Sequence, residues 1–183
     1  MKTIVLTLTL LSTFLGFYLF SEADTNSPVQ STKSKITVVY LVRHAEKNTA
    51  NPEDRDPDLT PAGYARAEAL QRYLHNIKVD AFLASPYKRT RLTLVPAAAG
   101  REIDTYQAHG YKALKQLITQ KYAGKTVVVA GHSNTILEII ETFGAPRPVP
   151  TIADSKYDYI FKLTLRPGKK ARVETNTYGT PTT

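Results

Sequence analysis

The sequence predicts an α/β domain, a three-layer α/β/α sandwich around a mostly parallel mixed sheet. Three observations lead there. The runs Ile36–Val42 (ITVVYLV), Val79–Ala84 (VDAFLA) and Thr126–Ala130 (TVVVA) are almost continuously apolar, as strands buried on both faces are. Segments with apolar residues at helical spacing lie between them, and strands alternating with helices favour a parallel sheet covered on both sides. Near the end, Tyr157–Leu165 and Ala171–Tyr178 flank Pro167-Gly168 as a hairpin, which adds antiparallel strands at one edge.

Taken in order, Ile36–Val42 is followed by a charged loop, Arg43–Asp58. Thr60-Pro61 then opens a helix, with a capping hydroxyl before a proline at the first helical position. Its expected inward stripe is Ala62, Ala65, Ala69, Leu70, Tyr73, Leu74 and Ile77. Tyr87–Ala99 reads as a helix broken near Pro96, and Arg101–Thr105 as an edge strand. Tyr111–Tyr122 places Ala113, Leu114, Leu117 and Ile118 on one helical face and closes at Gly124. Asn134–Phe143 is the last helix and ends at Gly144.

The N-terminus has a different character. Between Met1-Lys2 and Ser21-Glu22-Ala23 lies an uncharged run of 18 residues, Thr3–Phe20. A basic start, an apolar stretch and a small-x-small site predict an export signal over 1–23, with a retained membrane anchor as the alternative. Residues 24–35 (DTNSPVQSTKSK) read as a flexible linker, and 36–183 as the domain. The sequence therefore predicts an exported protein, periplasmic or extracellular, that meets a membrane only through an uncleaved N-terminal segment.

Composition narrows the function. The chain of 183 residues contains no cysteine, which excludes a disulfide scaffold, a thiolate zinc site and a thiol nucleophile. Its 24 Lys and Arg against 16 Asp and Glu give a net charge of +8, which suits an anionic partner. No aromatic-basic interleaving accompanies Lys112, Lys115, Lys121, Lys125, Lys169, Lys170 or Arg172, so a solvated basic face is expected there and nucleic acid is not.

Two of the four histidines occupy equivalent places. His44 follows ITVVYLV and His132 follows TVVVAG, and functional groups in an open α/β sheet collect beyond the carboxyl ends of the strands. Arg43 precedes His44, and the end of the VDAFLA strand supplies Arg89. Guanidinium forks bind a tetrahedral oxyanion through paired charge-assisted hydrogen bonds, so a phosphoryl group fits such a pocket. Zinc fits poorly, because no third ligand or HxxxH spacing accompanies the pair and flanking arginines repel a cation. Neither a metal nor another cofactor is expected. His75 reads as a structural or surface residue.

At this point the sequence resembles a known family. Leu41-Val42-Arg43-His44-Ala45-Glu46-Lys47 is similar to the RHG/RHAE signature of the histidine phosphatase superfamily, the phosphoglycerate mutase-like proteins. Leu59-Thr60-Pro61-Ala62-Gly63, then Ser85-Pro86-Tyr87-Lys88-Arg89-Thr90 through Thr93, then Gly131-His132-Ser133-Asn134 resemble its LTxxG, SPxxRxxxT and GHS/GHxN blocks in order. The resemblance implies that His44 is a nucleophile that becomes phosphohistidine, with Arg43, Arg89 and His132 around the transferring group. A neutral imidazole is available at neutral pH, and a nearby backbone carbonyl would fix its tautomer. Ser133 and Asn134, with the N–H groups of the helix they begin, and Asn48 are candidate substrate contacts; Lys47 is a further one.

An alkoxide leaving group also needs an acid. Glu46, His109, Asp154 and Asp158 are the candidates, and no family block selects among them. The expectation is a small phosphatase that acts on a phosphorylated small molecule through phosphohistidine. A phosphate-recognising protein with little turnover and a phosphomutase are the alternatives. Tyr157 and Tyr159, at strand spacing, read as packing residues. The substrate and the oligomeric state are open.

Overall fold

A computed structural model describes residues 35–183; the expected signal or anchor and nearly all of the linker lie outside the described residues. Six strands and four helices alternate: β1 (Thr37–Arg43), α1 (Pro61–Leu74), β2 (Ala81–Ala84), α2 (Lys88–Ala98), β3 (Ile103–Thr105), α3 (Tyr111–Lys121), β4 (Thr126–Gly131), α4 (Ile136–Thr142), β5 (Tyr159–Leu165) and β6 (Arg172–Thr177). The sheet order is β3-β2-β4-β1-β5-β6. Strands β3, β2, β4 and β1 run parallel, and the β5–β6 hairpin adds the antiparallel pair beside β1.

Alternation along the strands builds two cores. Val39, Leu41, Val127 and Val129 face Leu114 and Ile118 of α3 and Ile136, Ile139 and Ile140 of α4. Tyr40, Val42, Val128 and Ala130 face Leu70 and Leu74 of α1 and Leu94 and Ala98 of α2. With side chains buried on both faces, these central strands have no polar alternation, which is why their sequences are continuous apolar runs. The expected three-layer architecture is the observed one. Among the described residues, no helix is long and apolar enough to cross a membrane.

Four local expectations are corrected. Helix α2 continues through Pro96 to Ala98, because a proline this close to the end removes only a last-turn hydrogen bond; the chain then turns out through left-handed Ala99 and Gly100. In α1, Ala62 and Ala65 are exposed while Gly63, Arg66 and Ala67 are buried, because Arg66 turns inward to meet Glu46. The last helix begins at Ile136, not Asn134, since residues 133–135 form a turn. Tyr157 precedes β5 and belongs to a loop.

Candidate active site

Strand register brings the site together. Arg43, the last residue of β1, pairs with Gly131, the last residue of β4, so the next residues, His44 and His132, emerge side by side. The His44 backbone N–H donates to the Gly131 carbonyl at 2.9 Å, and the two imidazole centroids are 5.3 Å apart. On the other side of β4, Ala84 of β2 pairs with Ala130, and this delivers Ser85 beside His132. Strands β1 and β4 thus end level and β2 one residue short of them, and the residue after each is brought to the same end of the sheet.

His44 is buried, and its Nδ1–H donates to the Ala45 carbonyl at 2.8 Å. That bond fixes the tautomer and leaves the lone pair on Nε2. Burial pulls the His44 pKa from 6.5 to about 3, against the raising effect of the Ala45 bond and with further lowering by His132, Arg43 and Arg89. Burial, then Arg89, likewise lowers His132 to about 4. Both imidazoles are neutral at neutral pH.

His132 sits on a directed chain of hydrogen bonds. Thr90 Oγ1 donates to the carbonyls of Ser85 (2.8 Å) and Tyr87 (2.7 Å), so it accepts from Ser85 Oγ at 3.1 Å. Ser85 Oγ, its own proton committed, accepts from His132 Nε2–H at 2.8 Å. Nδ1 of His132 is therefore the nitrogen that can take up a proton.

The two arginines are held by their outer edges. Arg43 NH1 donates to the carbonyls of Ala153 (2.8 Å), Asp154 (2.9 Å) and Lys156 (3.1 Å), and the guanidinium lies 4.1 Å from the Tyr157 ring centroid. Arg89 lies 4.3 Å from the Tyr87 ring, with NH1 3.4 Å from Asp56 Oδ1. The Nε–H groups of both arginines are buried and, among the described residues, without a hydrogen-bond acceptor. A buried unpaired guanidinium N–H is costly, and two such groups concentrate unneutralised positive charge beside His44 and His132.

The remaining motif residues support this arrangement. Thr93 Oγ1 accepts from the Ala45 N–H (2.8 Å) and donates to the Arg89 carbonyl (2.8 Å), joining the His44 loop to α2. Thr60 caps α1, its Oγ1 accepting from the Gly63 N–H at 3.1 Å, and its own N–H donates to the Glu46 carbonyl. A Cβ at residue 63 would lie 2.3 Å from that carbonyl, so glycine alone lets the helix approach the His44 loop this closely.

The candidate acids and substrate contacts are placed as follows. Glu46 is held by Arg66, whose Nε donates to Oε1 (2.9 Å) and Oε2 (3.0 Å). Asp154 is exposed, 3.7 Å from Arg43 NH2. Asp158 is buried against Thr182 and Lys156. His109 is exposed, with Nδ1 3.1 Å from the Tyr111 hydroxyl. Asn48 is exposed and accepts from the Ala50 N–H. Asn134 is exposed and Ser133 half-buried in the turn after His132, where the N–H groups of Thr135 and Ile136 donate to the His132 carbonyl.

Two aromatic neighbours were not legible as site residues. Tyr157 lies 6.2 Å from His44 and Tyr87 lies 5.0 Å from His132, between ring centroids. Only the arginine and histidine beside each would have singled them out. A depression of about 420 Å³ is lined by Asp56, Ser85, Tyr87, Lys88, Arg91 and Thr105 among others; it shares Ser85 with the site, and neither His44 nor His132 lines it.

Two depressed histidine pKa values make stability depend on pH. Below about pH 6.5 the unfolded chain takes up protons that the folded protein refuses down to about 3 for His44 and about 4 for His132, so stability falls as pH falls through that window. Thermal unfolding followed from pH 7 to pH 4 should show a falling midpoint, and His44→Asn should flatten the fall. An unchanged slope in that variant would place His44 outside a low-polarity pocket.

Residues 39–115 match the family model described as "Histidine phosphatase superfamily (branch 1)". Among solved structures, the chain is similar to the protein histidine phosphatase SixA complexed with tungstate: TM-score 0.63, 16% identity, 76% of this chain and 96% of the other. A mycobacterial glucosyl-3-phosphoglycerate phosphatase matches with TM-score 0.60 and 11% identity over 80% of this chain and all of the other, which is 100% covered. A variant of phosphoserine phosphatase from Entamoeba histolytica, in complex with phosphoserine, matches with TM-score 0.56 and 14% identity over 78% and 96% of the two chains. No curated protein matches the sequence.

Proposed function

We propose that the protein is a phosphatase of the histidine phosphatase superfamily, whose model residues 39–115 match, and that it works through a phosphohistidine on His44 and needs no metal for the chemical step. One observation carries the reading. A neutral imidazole, fixed by Ala45 so that Nε2 holds the lone pair, stands among two arginines whose buried Nε–H groups await an acceptor.

In the first step Nε2 of His44 attacks phosphorus and the bond to the leaving group breaks. Positive charge develops on the imidazole, and the Nδ1–H bond to Ala45 stabilises it. Arg43 and Arg89 face the oxygens of the transferring phosphoryl; one preorganised donor of this kind is worth roughly 3 to 4 kcal/mol in the transition state. The phosphoryl charge also favours a proton on His132 Nδ1, which converts that residue to a cationic donor while Nε2 stays on Ser85. In the second step water attacks phosphorus, phosphate departs, and His44 returns neutral.

Of the carboxylates around the cleft, Glu46 is held by Arg66, and Asp154 and Asp56 are exposed beside Arg43 and Arg89, whose charge favours their ionised form. This supports substrates whose leaving group needs little help from an acid, such as an aryl oxide or the imidazole of a phosphorylated histidine, which takes its proton from solvent on the far nitrogen. The likeness to SixA points the same way. Purified protein should release phosphate from p-nitrophenyl phosphate and from phosphorylated imidazole faster than from an alkyl phosphate. Equal inactivity of wild type and His44→Ala on all three, with phosphate still bound, would favour the phosphate-recognising alternative. We further propose export through residues 1–23; the N-terminus of the mature protein, sequenced from cells, should then be Asp24, and an intact Met1 start would oppose cleavage.

A further inference from the structure

The segment after β6, Tyr178–Thr183, runs back under the site and is tied in two places. One tie reaches the Glu46 side: Arg66 NH1 donates to the Tyr178 carbonyl at 3.1 Å and NH2 to the Thr180 carbonyl at 2.9 Å, while the same guanidinium grips Glu46. The other reaches residues 153–158, the loop whose three carbonyls receive Arg43.

At this second tie one side chain makes most of the bonds. Thr182 Oγ1 accepts from the Tyr157 N–H at 2.9 Å and donates to Asp158 Oδ1 at 2.8 Å, and the Thr182 N–H donates to Asp158 Oδ2 at 3.3 Å. The Asp158 carboxylate is buried and also receives Lys156 Nζ at 3.1 Å, and Lys156 Nζ donates again to the Thr182 carbonyl. Lys156 closes the turn, its N–H donating to the Ala153 carbonyl at 2.9 Å. Every residue that shapes the Arg43 cradle is thus bonded to Thr182 or Asp158, or is one turn away from a residue that is. Tyr157, stacked on Arg43 and next to His44, takes its backbone position from the same hydroxyl.

Resting on the phosphatase reading, we propose that Thr182, with Asp158, is a positioning residue for Arg43: it holds the 153–157 loop so that NH1 stays on the three carbonyls and the guanidinium is kept beside His44 for the phosphoryl group. Thr182 touches neither substrate nor His44, so its effect passes through Arg43. Arginine has long-chain freedom, and a single loosened loop carbonyl lets the fork turn; displacements near 1 Å cost about 100-fold in catalysis.

A double-mutant cycle between Thr182→Val and Arg43→Ala tests this, read in kcat and KM on p-nitrophenyl phosphate and in the affinity for inorganic phosphate. Valine keeps the volume and loses the hydroxyl. Expected are a loss of about 10- to 100-fold in kcat/KM in Thr182→Val, weaker phosphate binding, near-complete recovery in Thr182→Ser, and little further loss when Thr182→Val is added to Arg43→Ala. Additive losses, or wild-type kcat and KM in Thr182→Val, would overturn the proposal. Should the valine variant not fold, the same cycle with Thr182→Ala decides. If wild type fails to turn over any substrate, the phosphatase reading falls, and the cycle in phosphate affinity still decides the role of Thr182.

Discussion

Replacing His44 with alanine is expected to reduce kcat by about 10⁴-fold or more, since removal of a covalent nucleophile costs on that order or above it. The expectation follows from position as well as chemistry. His44 is the residue delivered by the β1–β4 register into a cleft whose other cation-bearing groups, Arg43 and Arg89, cannot act as nucleophiles. His132 cannot replace it, because its Nε2–H is committed to Ser85 and its free nitrogen is Nδ1. Phosphate affinity should change far less than kcat in His44→Ala, because the arginines remain. Residual turnover close to wild type would mean that water, or His132, attacks phosphorus directly.

Arg43→Ala should cost about 10²- to 10³-fold in kcat/KM, the range for loss of one preorganised donor to a charged transition state. Arg43→Lys should recover little of this. An ammonium is a compact charge without a planar fork, so it cannot donate to the three loop carbonyls at one end and to a phosphoryl oxygen at the other. The lysine variant therefore separates geometry from charge. If lysine restored most of the activity, the cradle formed by residues 153–156 would have no catalytic consequence. Steady-state kinetics of both variants, with phosphate inhibition measured alongside, distinguishes the two.

The elements that place the site were readable because they follow from short-range rules. Two-sided burial writes itself into ITVVYLV and TVVVA as uninterrupted apolar runs, and a histidine stands two residues beyond the end of each run. The cap at Thr60 and the proline after it mark α1 without any tertiary information. What could not be read depends on contacts between distant segments. Arg66 shares the helical face of Ala69, Leu70 and Tyr73, but a charged side chain reads as a solvent residue, and it is buried because Glu46 and the carbonyls of Tyr178 and Thr180 converge on it. Tyr157 looked like one more alternating strand residue, but β5 starts two residues later and its ring stacks on Arg43. The polar segment after β6 contains no motif; its function in holding the Arg43 cradle exists only once the chain has folded back 24 residues onto Asp158.

The same distinction applies to charge. The net +8 is a property of the whole chain, whereas the candidate anion site depends on two guanidinium groups anchored through NH1 beside His44 and His132. Exposed bases on α3 are largely paired or solvated, as with Lys121 on Asp104.

The most direct test of the account is to trap the enzyme during turnover. Protein quenched in alkali during steady-state hydrolysis of p-nitrophenyl phosphate, then digested and mapped by mass spectrometry, should carry an acid-labile, alkali-stable phosphoryl group on His44. His44→Ala should carry none. A phosphoryl group on His132 or on a hydroxyl residue, or full turnover with no trapped phosphoenzyme in a quench fast enough to catch one, would contradict it.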